Sequence, residues 1–516
     1  MKPQSINSIK RHRAAKMAMI GTRAMYLQKR GRNAEMATYI CDELVSLGGI
    51  YIKFLQGVML QSEFFNQWQS PNRYNIFENL DTELINLPKL LQKELKPELL
   101  SQIAQVQPQS FAAGSFGQVY YGVLRDGTPV IIKALRPLVR ETLQFDLKLI
   151  NIFAKQFFLK LYHGMDLNIN DALKEFRKSS LNETDYVSEA EFANELYEAY
   201  KGHEKFIIPR TYIELCTKNI IVQEYIGGIS GAQLVKLQEQ GVEPWLYVNE
   251  QLGSDLDKQL ITMGEEYVKG MFTLPRVQGD PHPGNVKFLE DNKVGLIDFG
   301  IFAPAPKDKP AFFALIQEYS KLYNGNVDIE ELFGKFLRVF ANNLYSAFKK
   351  LHDASGQNSG EDLTRTIGKL AKKAFSTHMS KSDSAPLMNE PNMLRMVSQI
   401  VNKQNRFGLE LTINSSEIIR AAQTYITLVE SLGRQDKVLP VMFDGAVTQL
   451  KKDHPELLIE KDSNMTISRA IDIVTKWLER VANKDPILFR KLLGQIKRGG
   501  GNISKIEQID KETLNV

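Results

Sequence analysis

Residues 276–300 read "RVQGDPHPGNVKFLEDNKVGLIDFG", Arg276 to Gly300, and the reading of this stretch decides the fold. Two carboxylates, Asp280 and Asp298, and one amide, Asn285, stand among Pro, Gly and His. The pattern is a turn, then a pair of short strands, then Asp-Phe-Gly. Carboxylate and amide oxygens are hard donors of the kind Mg²⁺ accepts. Taken alone, the stretch also suits a plain hairpin with polar turns. His282 has no second His or Cys near it in the sequence, so a structural role in the turn is expected.

The decision comes from what lies upstream. "AAGSFGQV" sets Ala112, Gly114, Gly117 and Val119 in register with the glycine-rich template G-x-G-x-x-G-x-V, with Ala113 and Ser115 between them. Small residues let a hairpin tip come close to phosphates with its N–H groups facing the anion. "VIIKAL" then places Lys133 on a β-branched strand, 16 positions after Gly117. An inward lysine on such a strand needs an anionic partner, and ATP phosphates with a helical glutamate would serve. Glu183, Asp185 and Glu189 of "NETDYVSEAEFANEL" are the candidates, with Glu189 preferred. Asp280 and Asn285, five apart, match the spacing of H-R-D-L-x-x-x-N, in which Asp meets the acceptor hydroxyl and Asn a metal. "IIVQEYIGG" reads as strand and hinge. The backbone from Glu224 to Ile226 is expected to meet the adenine edge, which needs one acceptor and one donor.

The rest of the chain agrees with this order. Its 516 residues exceed one compact core, and 43% hydrophobic with 24% charged residues is ordinary for a folded protein. Helical spacing runs over 34–104, with a second helix expected from Leu87 to Val106. A β-rich part follows Pro108 around the "RDGT" hairpin, helices return over 138–202, and nearly everything after Pro304 is helical. Loops are expected at 353–362 and 376–391, and a frayed tail at the end. The divisions expected are a basic segment 1–33, a helical extension 34–107, an N-lobe 108–226, a C-lobe 227–450 and a C-terminal region 451–516. The fold class is therefore α+β, a two-lobed kinase-like outline with the nucleotide between lobes.

No run of 18 apolar residues reads as a membrane span. Cys41 and Cys216 make no disulfide framework and suit a reducing compartment, the cytoplasm. Residues 1–40 carry nine Lys/Arg against Glu35 alone, so they contribute +8 to a net +5. That segment reads either as a solvated, partly helical tail or as a peripheral contact for anionic lipid. No nucleic-acid partner is expected.

These residues resemble the UbiB-type atypical kinases, also called aarF-domain kinases. The resemblance covers 40–305 closely and continues more loosely to about 440. It rests on "GDPHPGN", on "ETDYVSEAEFAN" as the family's E-x-D motif and helix glutamate, and on "KFLQ" as its K-x-G-Q motif. It implies a lid formed by Lys53, Gln56, Glu183 and Asp185 over the nucleotide. ATPase or small-molecule kinase activity is then favoured over protein phosphorylation. It also implies a role in isoprenoid-quinone or lipid metabolism. Three departures stand out: Leu55 where glycine is usual, Gly114 and Gly117 in a loop that is otherwise alanine-rich, and Gln278 where histidine is frequent.

The implied roles are Lys133 on the α/β-phosphates, Glu189 orienting it, Asn285 and Asp298 on Mg²⁺, and Asp280 at a water, small-molecule or lipid acceptor. Two other readings compete. A soluble phosphotransferase of the aminoglycoside or choline kinase kind would transfer phosphate to a soluble alcohol. A non-catalytic scaffold would bind ATP without turnover.

Overall fold

The structure, a computed structural model, describes residues 5–55, 85–114, 116–161, 169–324, 326–354, 364–365, 368–369, 415–459, 465–484 and 489–490. Gln56, Ser115, the 376–391 loop and the C-terminal tail lie outside the described residues, as does most of the 353–362 loop. The chain divides into two compact units. The first comprises Met1–Gly202, Ile208–Gly227 and Ile297–Ile301; the second comprises His203–Ile207, Gly228–Leu296 and Phe302–Val516.

The first unit is built on an antiparallel sheet. Its strands are β1 (Ile103–Val106), β2 (Ala112–Ala113), β3 (Gly117–Leu124), β4 (Pro129–Leu135) and β6 (Ile220–Glu224). They run in the order β1-β3-β4-β6, with β2 also on β3. The β3–β4 hairpin turns at "RDGT", where Gly127 takes φ +87° and the Thr128 N–H donates to Asp126 Oδ1 at 2.9 Å. A left-handed residue at that point is what glycine supplies without steric cost.

The helix expected over 87–106 divides instead. Leu87–Glu94 and Pro97–Leu100 are helical, but Ile103–Val106 is strand β1, with Ile103 opposite Leu124. Pro97 starts a new turn rather than continuing the old one, and the edge of β3 offers ladder partners to the β-branched Ile103 and Val106. The sheet therefore begins before Pro108.

The two faces of the sheet bury different neighbours. Val130, Ile132 and Ala134 of β4 join Tyr120, Ile220 and Val222 against Leu87 and Leu91. Leu135 and Ile221 face the helical side, in a core with Phe54, Leu147, Tyr186 and Ala190. Side chains alternate along a strand, so Lys133 lies on the helical face with Leu135.

The basic N-terminus is not a solvated tail. Ile6–Lys29 is a helix that buries Met17, Ile20, Ala24 and Leu27, a three- and four-residue spacing that places them on one stripe. Arg13 pairs with the buried Asp146 of the Val139–Leu161 helix, which also accepts the Tyr51 hydroxyl at 2.8 Å. Lys16 pairs with Glu43 at 3.1 Å. Part of the excess charge thus closes internal ion pairs.

The second unit carries a four-stranded sheet in the order β5-β10-β9-β7. These strands are β5 (Phe206–Ile207), β7 (Ile229–Ser230), β9 (Val286–Phe288) and β10 (Val294–Leu296). Only β5 and β10 run parallel. A separate pair, β8 (Arg276–Gln278) with β11 (Phe302–Pro304), sets Gln278 opposite Phe302. The remainder is mostly helical, including Leu256–Thr273, Lys309–Ser320, Ile329–Phe340, Ser415–Ser431 and Gln435–Asp453. Among the described residues, no helix is long and apolar enough to cross a membrane.

Candidate active site

Three charges converge in the first unit. Lys133 Nζ lies 2.7 Å from Glu189 Oε1 and 3.3 Å from Asp298 Oδ2. Register explains the position of the lysine, which stands opposite Val119 on β3 and Ile221 on β6. Glu189 projects from the first turn of the Tyr186–Tyr200 helix, whose N-cap is Asp185, accepting from Ser188 N–H at 3.3 Å. The helix end is itself a favourable place for a carboxylate. Asp298 accepts the Gly300 N–H at 3.1 Å, and the fully buried Phe299 between them packs edge-on against Phe192 of the same helix. Phe299 thereby ties the Asp-Phe-Gly turn to the helix that carries Glu189.

The electrostatics follow the geometry. Burial works against the Lys133 ammonium, but Asp298 and Glu189 outweigh it and hold its pKa well above the usual lysine range. Burial pushes the Glu189 carboxyl up against the pull of Lys133. Burial also opposes the Asp298 charge, yet Lys133 and the Gly300 N–H prevail and lower its pKa. Its side chain keeps 44% of its surface exposed, so it presents an ionised carboxylate to solvent or ligand.

The glycine loop is held from several sides. Gly114 N–H donates to Gly117 C=O at 2.9 Å, and Arg136 donates to Gly114 C=O at 2.9 Å. Phe116 is buried in the helical core. A side chain at Gly117 would meet the Tyr186 hydroxyl at 2.5 Å and the Ala134 carbonyl oxygen at 2.9 Å, so close approach of helix and strand requires glycine there. Ala112 and Ala113 pair with Val119 and Gln118.

The upstream extension reaches the same neighbourhood. Lys53 pairs with Glu183, lies 3.4 Å from Ser179 Oγ, and stands over the Phe116 ring at 5.4 Å. Asp185 caps its helix, accepting the Ser188 N–H, while Lys53 pairs with Glu183. Leu55 is fully buried in the helical core, so the residue that replaces glycine adds apolar packing.

In the second unit, Asp280 sits in a backbone clamp. Gln278 is 2% exposed; its Nε2 donates to Asp280 C=O at 2.7 Å and its Oε1 accepts Asp280 N–H at 3.0 Å. Asn285 Nδ2 donates to the same carbonyl at 3.1 Å, which turns its Oδ1 away from that bond. Tyr267 hydroxyl donates to Gln278 C=O at 2.8 Å. His282 Nδ1 accepts Gly284 N–H at 3.2 Å, a role inside the turn.

At the hinge, Glu224 N–H donates to Arg210 C=O and Tyr225 N–H to Pro129 C=O. Among the described residues, Ile226 N–H makes no backbone hydrogen bond.

Residues 80–327 match the family model described as the ABC1 atypical kinase-like domain. They are an ABC1 domain, of the UbiB family. The chain is 30% identical over 214 residues to the protein ACTIVITY OF BC1 COMPLEX KINASE 1, chloroplastic, of Arabidopsis thaliana, covering 41% of this chain and 29% of that one. It is 29% identical over 274 residues to the atypical kinase COQ8B, mitochondrial, of Rattus norvegicus, covering 51% of this chain and 47% of that one. This chain thus spans less than half the length of either relative. A solved structure described as the complex of Rv3197 with erythromycin from Mycobacterium tuberculosis aligns with a TM-score of 0.41 and 18% identity, over 84% of this chain and 98% of that one.

Several residues of the ABC1 domain escaped the sequence reading. Tyr186, Phe116, Arg136 and Tyr267 carry no motif; each matters through a neighbour distant in sequence. Gln278 was visible only as a departure, and its task, the clamp on Asp280, is tertiary. Gln278→Leu is expected to lower turnover roughly 10–100-fold, because freeing the Asp280 backbone lets its carboxylate drift from the reactive geometry. ATP turnover at saturating nucleotide checks this; a rate within twofold of wild type refutes the clamp.

Proposed function

We propose that this protein is a Mg²⁺-dependent ATPase or kinase of the UbiB type, acting on water or on a small-molecule or lipid acceptor. The observation that carries the reading is the Lys133–Glu189–Asp298 cluster in the first unit. A lysine held fully charged by one buried carboxylate, beside a second that stays exposed and ionised, suits phosphate oxygens on one side and a cation on the other. Lys133 takes the α/β-phosphates, and Glu189 keeps it extended toward them. Ala112, Ala113, Gly114, Ser115, Gly117 and Val119 form the loop over the phosphates. Glu224 C=O and Ile226 N–H meet the adenine edge.

In this reading Asp298, a carboxylate lowered in pKa, and Asn285, an amide whose Nδ2 donates to Asp280 C=O, are each a hard oxygen donor of the kind Mg²⁺ accepts. The ion, when bound, neutralises charge that builds on phosphoryl oxygens. Asp280 positions or deprotonates the acceptor hydroxyl or water. Lys53 and Glu183, with Gln56 and Asp185, restrict access, which favours a small acceptor over a protein chain. Isoprenoid-quinone or lipid metabolism, peripheral membrane contact through the exposed basic residues near the N-terminus, and a cytoplasmic location belong to this same proposal.

Phosphate release from ATP by the full chain tests it, with Mg²⁺ and with chelator, with and without anionic vesicles. Turnover should vanish with chelator and rise with vesicles or a lipid-soluble alcohol. ATP-dependent thermal stabilisation without any turnover would favour the scaffold instead, and stoichiometric transfer to a soluble amino-sugar or choline-like alcohol the soluble phosphotransferase.

A further inference from the structure

A phenol stands under the glycine loop with no task among the roles given above. Tyr186 opens the Tyr186–Tyr200 helix three positions before Glu189, so the two side chains leave the same face of that helix. The residue is 6% exposed, and its ring lies in one core with Phe116, Leu135, Ala190 and Ile221. Its hydroxyl reaches the last glycine of the loop, where a Cβ placed on Gly117 would stand 2.5 Å from it. Register gives that position its meaning. Gly117 lies opposite Leu135 and Val119 opposite Lys133. Residues two apart on a strand share a face, so Gly117 and Lys133 are diagonal neighbours on the face from which Lys133 meets Glu189. That face is the more open one: Gly117, Val119, Ile131 and Lys133 are half-buried, whereas Gln118, Tyr120, Ile132 and Ala134 between them are buried.

Chemistry selects the partner of the hydroxyl. It makes no hydrogen bond to any described residue. The nearby carboxylates Glu183 and Glu189 are taken up by Lys53 and Lys133. Burial, then Glu189, holds the phenol pKa above the usual tyrosine range against the pull of Lys133, so the group stays a neutral O–H donor. Packing of the ring needs no oxygen, and a buried hydroxyl without an acceptor is destabilising. A phosphoryl oxygen is the acceptor that fits. It is anionic, it belongs beside an ammonium group, and it approaches most closely where glycine leaves the backbone bare.

We propose that Tyr186 is a phosphate-binding residue, its O–H donating to a phosphoryl oxygen of the nucleotide beneath Gly117, next to the oxygens that Lys133 takes. The inference rests on the nucleotide reading above and adds to it a donor from the helix that also carries Glu189. Gly117 then serves twice, leaving room for the hydroxyl and letting the loop come down over the phosphates.

Displacement of a mant-labelled ATP from the full chain by ATP, ADP and adenosine tests this without turnover. Tyr186→Phe removes one oxygen and no hydrogen bond of the free protein, so the melting temperature without nucleotide should hold or rise. ATP and ADP should bind about tenfold more weakly to the variant, and adenosine within twofold of wild type. Unchanged affinity for ATP overturns the phosphate contact, and so does an equal loss for adenosine, which is what a purely structural role would give. A lower melting temperature of the free variant means that the hydroxyl has a partner within the chain, and overturns the proposal too. Gly117→Ala checks the placement. It should lower the melting temperature less in the Tyr186→Phe background than in wild type, and an equal drop in both overturns the contact with Gly117. Wild type that binds no ATP removes the nucleotide reading and this inference together, whereas wild type that binds ATP no better than Tyr186→Phe removes this inference alone.

Discussion

Asp298→Asn is expected to reduce ATP turnover by about 10³-fold or more while leaving the fold in place. The substitution keeps an oxygen to accept the Gly300 N–H, and Lys133 retains Glu189 at 2.7 Å. It removes the one carboxylate of the cluster that is substantially exposed, and with it the charge a divalent cation would need. An amide is a far weaker ligand than a carboxylate for a hard ion. The pH dependence of stability carries an independent sign. Asp298 is held below the usual aspartate range, so its contribution is fully present above about pH 4 and fades as acid protonates it. The stability difference between wild type and Asp298→Asn should therefore shrink on acidification. Turnover within tenfold of wild type, measured with nucleotide binding confirmed by thermal shift, removes Asp298 from the metal role.

Lys133→Met is expected to destabilise the first unit by about 3 kcal/mol or more, because Glu189 then stays buried without a counter-ion. The loss should depend on pH in a definite direction. Burial already raises the Glu189 pKa, and removing the lysine raises it further. A carboxyl raised in the folded state contributes most below its unfolded value, about pH 4, and loses that contribution as pH rises through the folded value. The penalty is therefore smallest in mild acid and grows toward neutrality. The double variant Lys133→Met/Glu189→Gln should recover part of it, since no buried charge remains. Urea denaturation of the three proteins at acid and neutral pH decides this; a double variant less stable than Lys133→Met at neutral pH contradicts the account.

Much of this was legible before any coordinates. The "RDGT" hairpin follows from local turn chemistry, and Lys133 from alternation along a β-branched strand; both are short-range and survive in a linear reading. Glu189 was chosen among three acids because it sits in a helix-favouring run, and the structure places it beside Lys133. The helix expected to Val106 shows the limit. Whether Ile103–Val106 coils or extends depends on the open edge of β3, a partner that sequence spacing does not reveal. The N-terminal charge excess misled in the same way. Arg13 and Asp146 are 133 positions apart, so the ion pair that helps hold the first helix to the core is invisible to composition.

By itself the sequence determined the kind of chemistry: which carboxylates, amide and lysine are present, in which order, and on which turns and strands. Local conformational preference and residue type suffice for that. Tertiary structure alone decided how those groups are held. Lys53 meets Glu183 while Asp185 becomes a helix cap, Gly117 is required by the Tyr186 hydroxyl, and Gln278 grips the Asp280 backbone. The physical reason is range. Charge state and hydrogen bonding in a buried site depend on what packs within a few ångströms, and here those neighbours come from segments far apart in the chain.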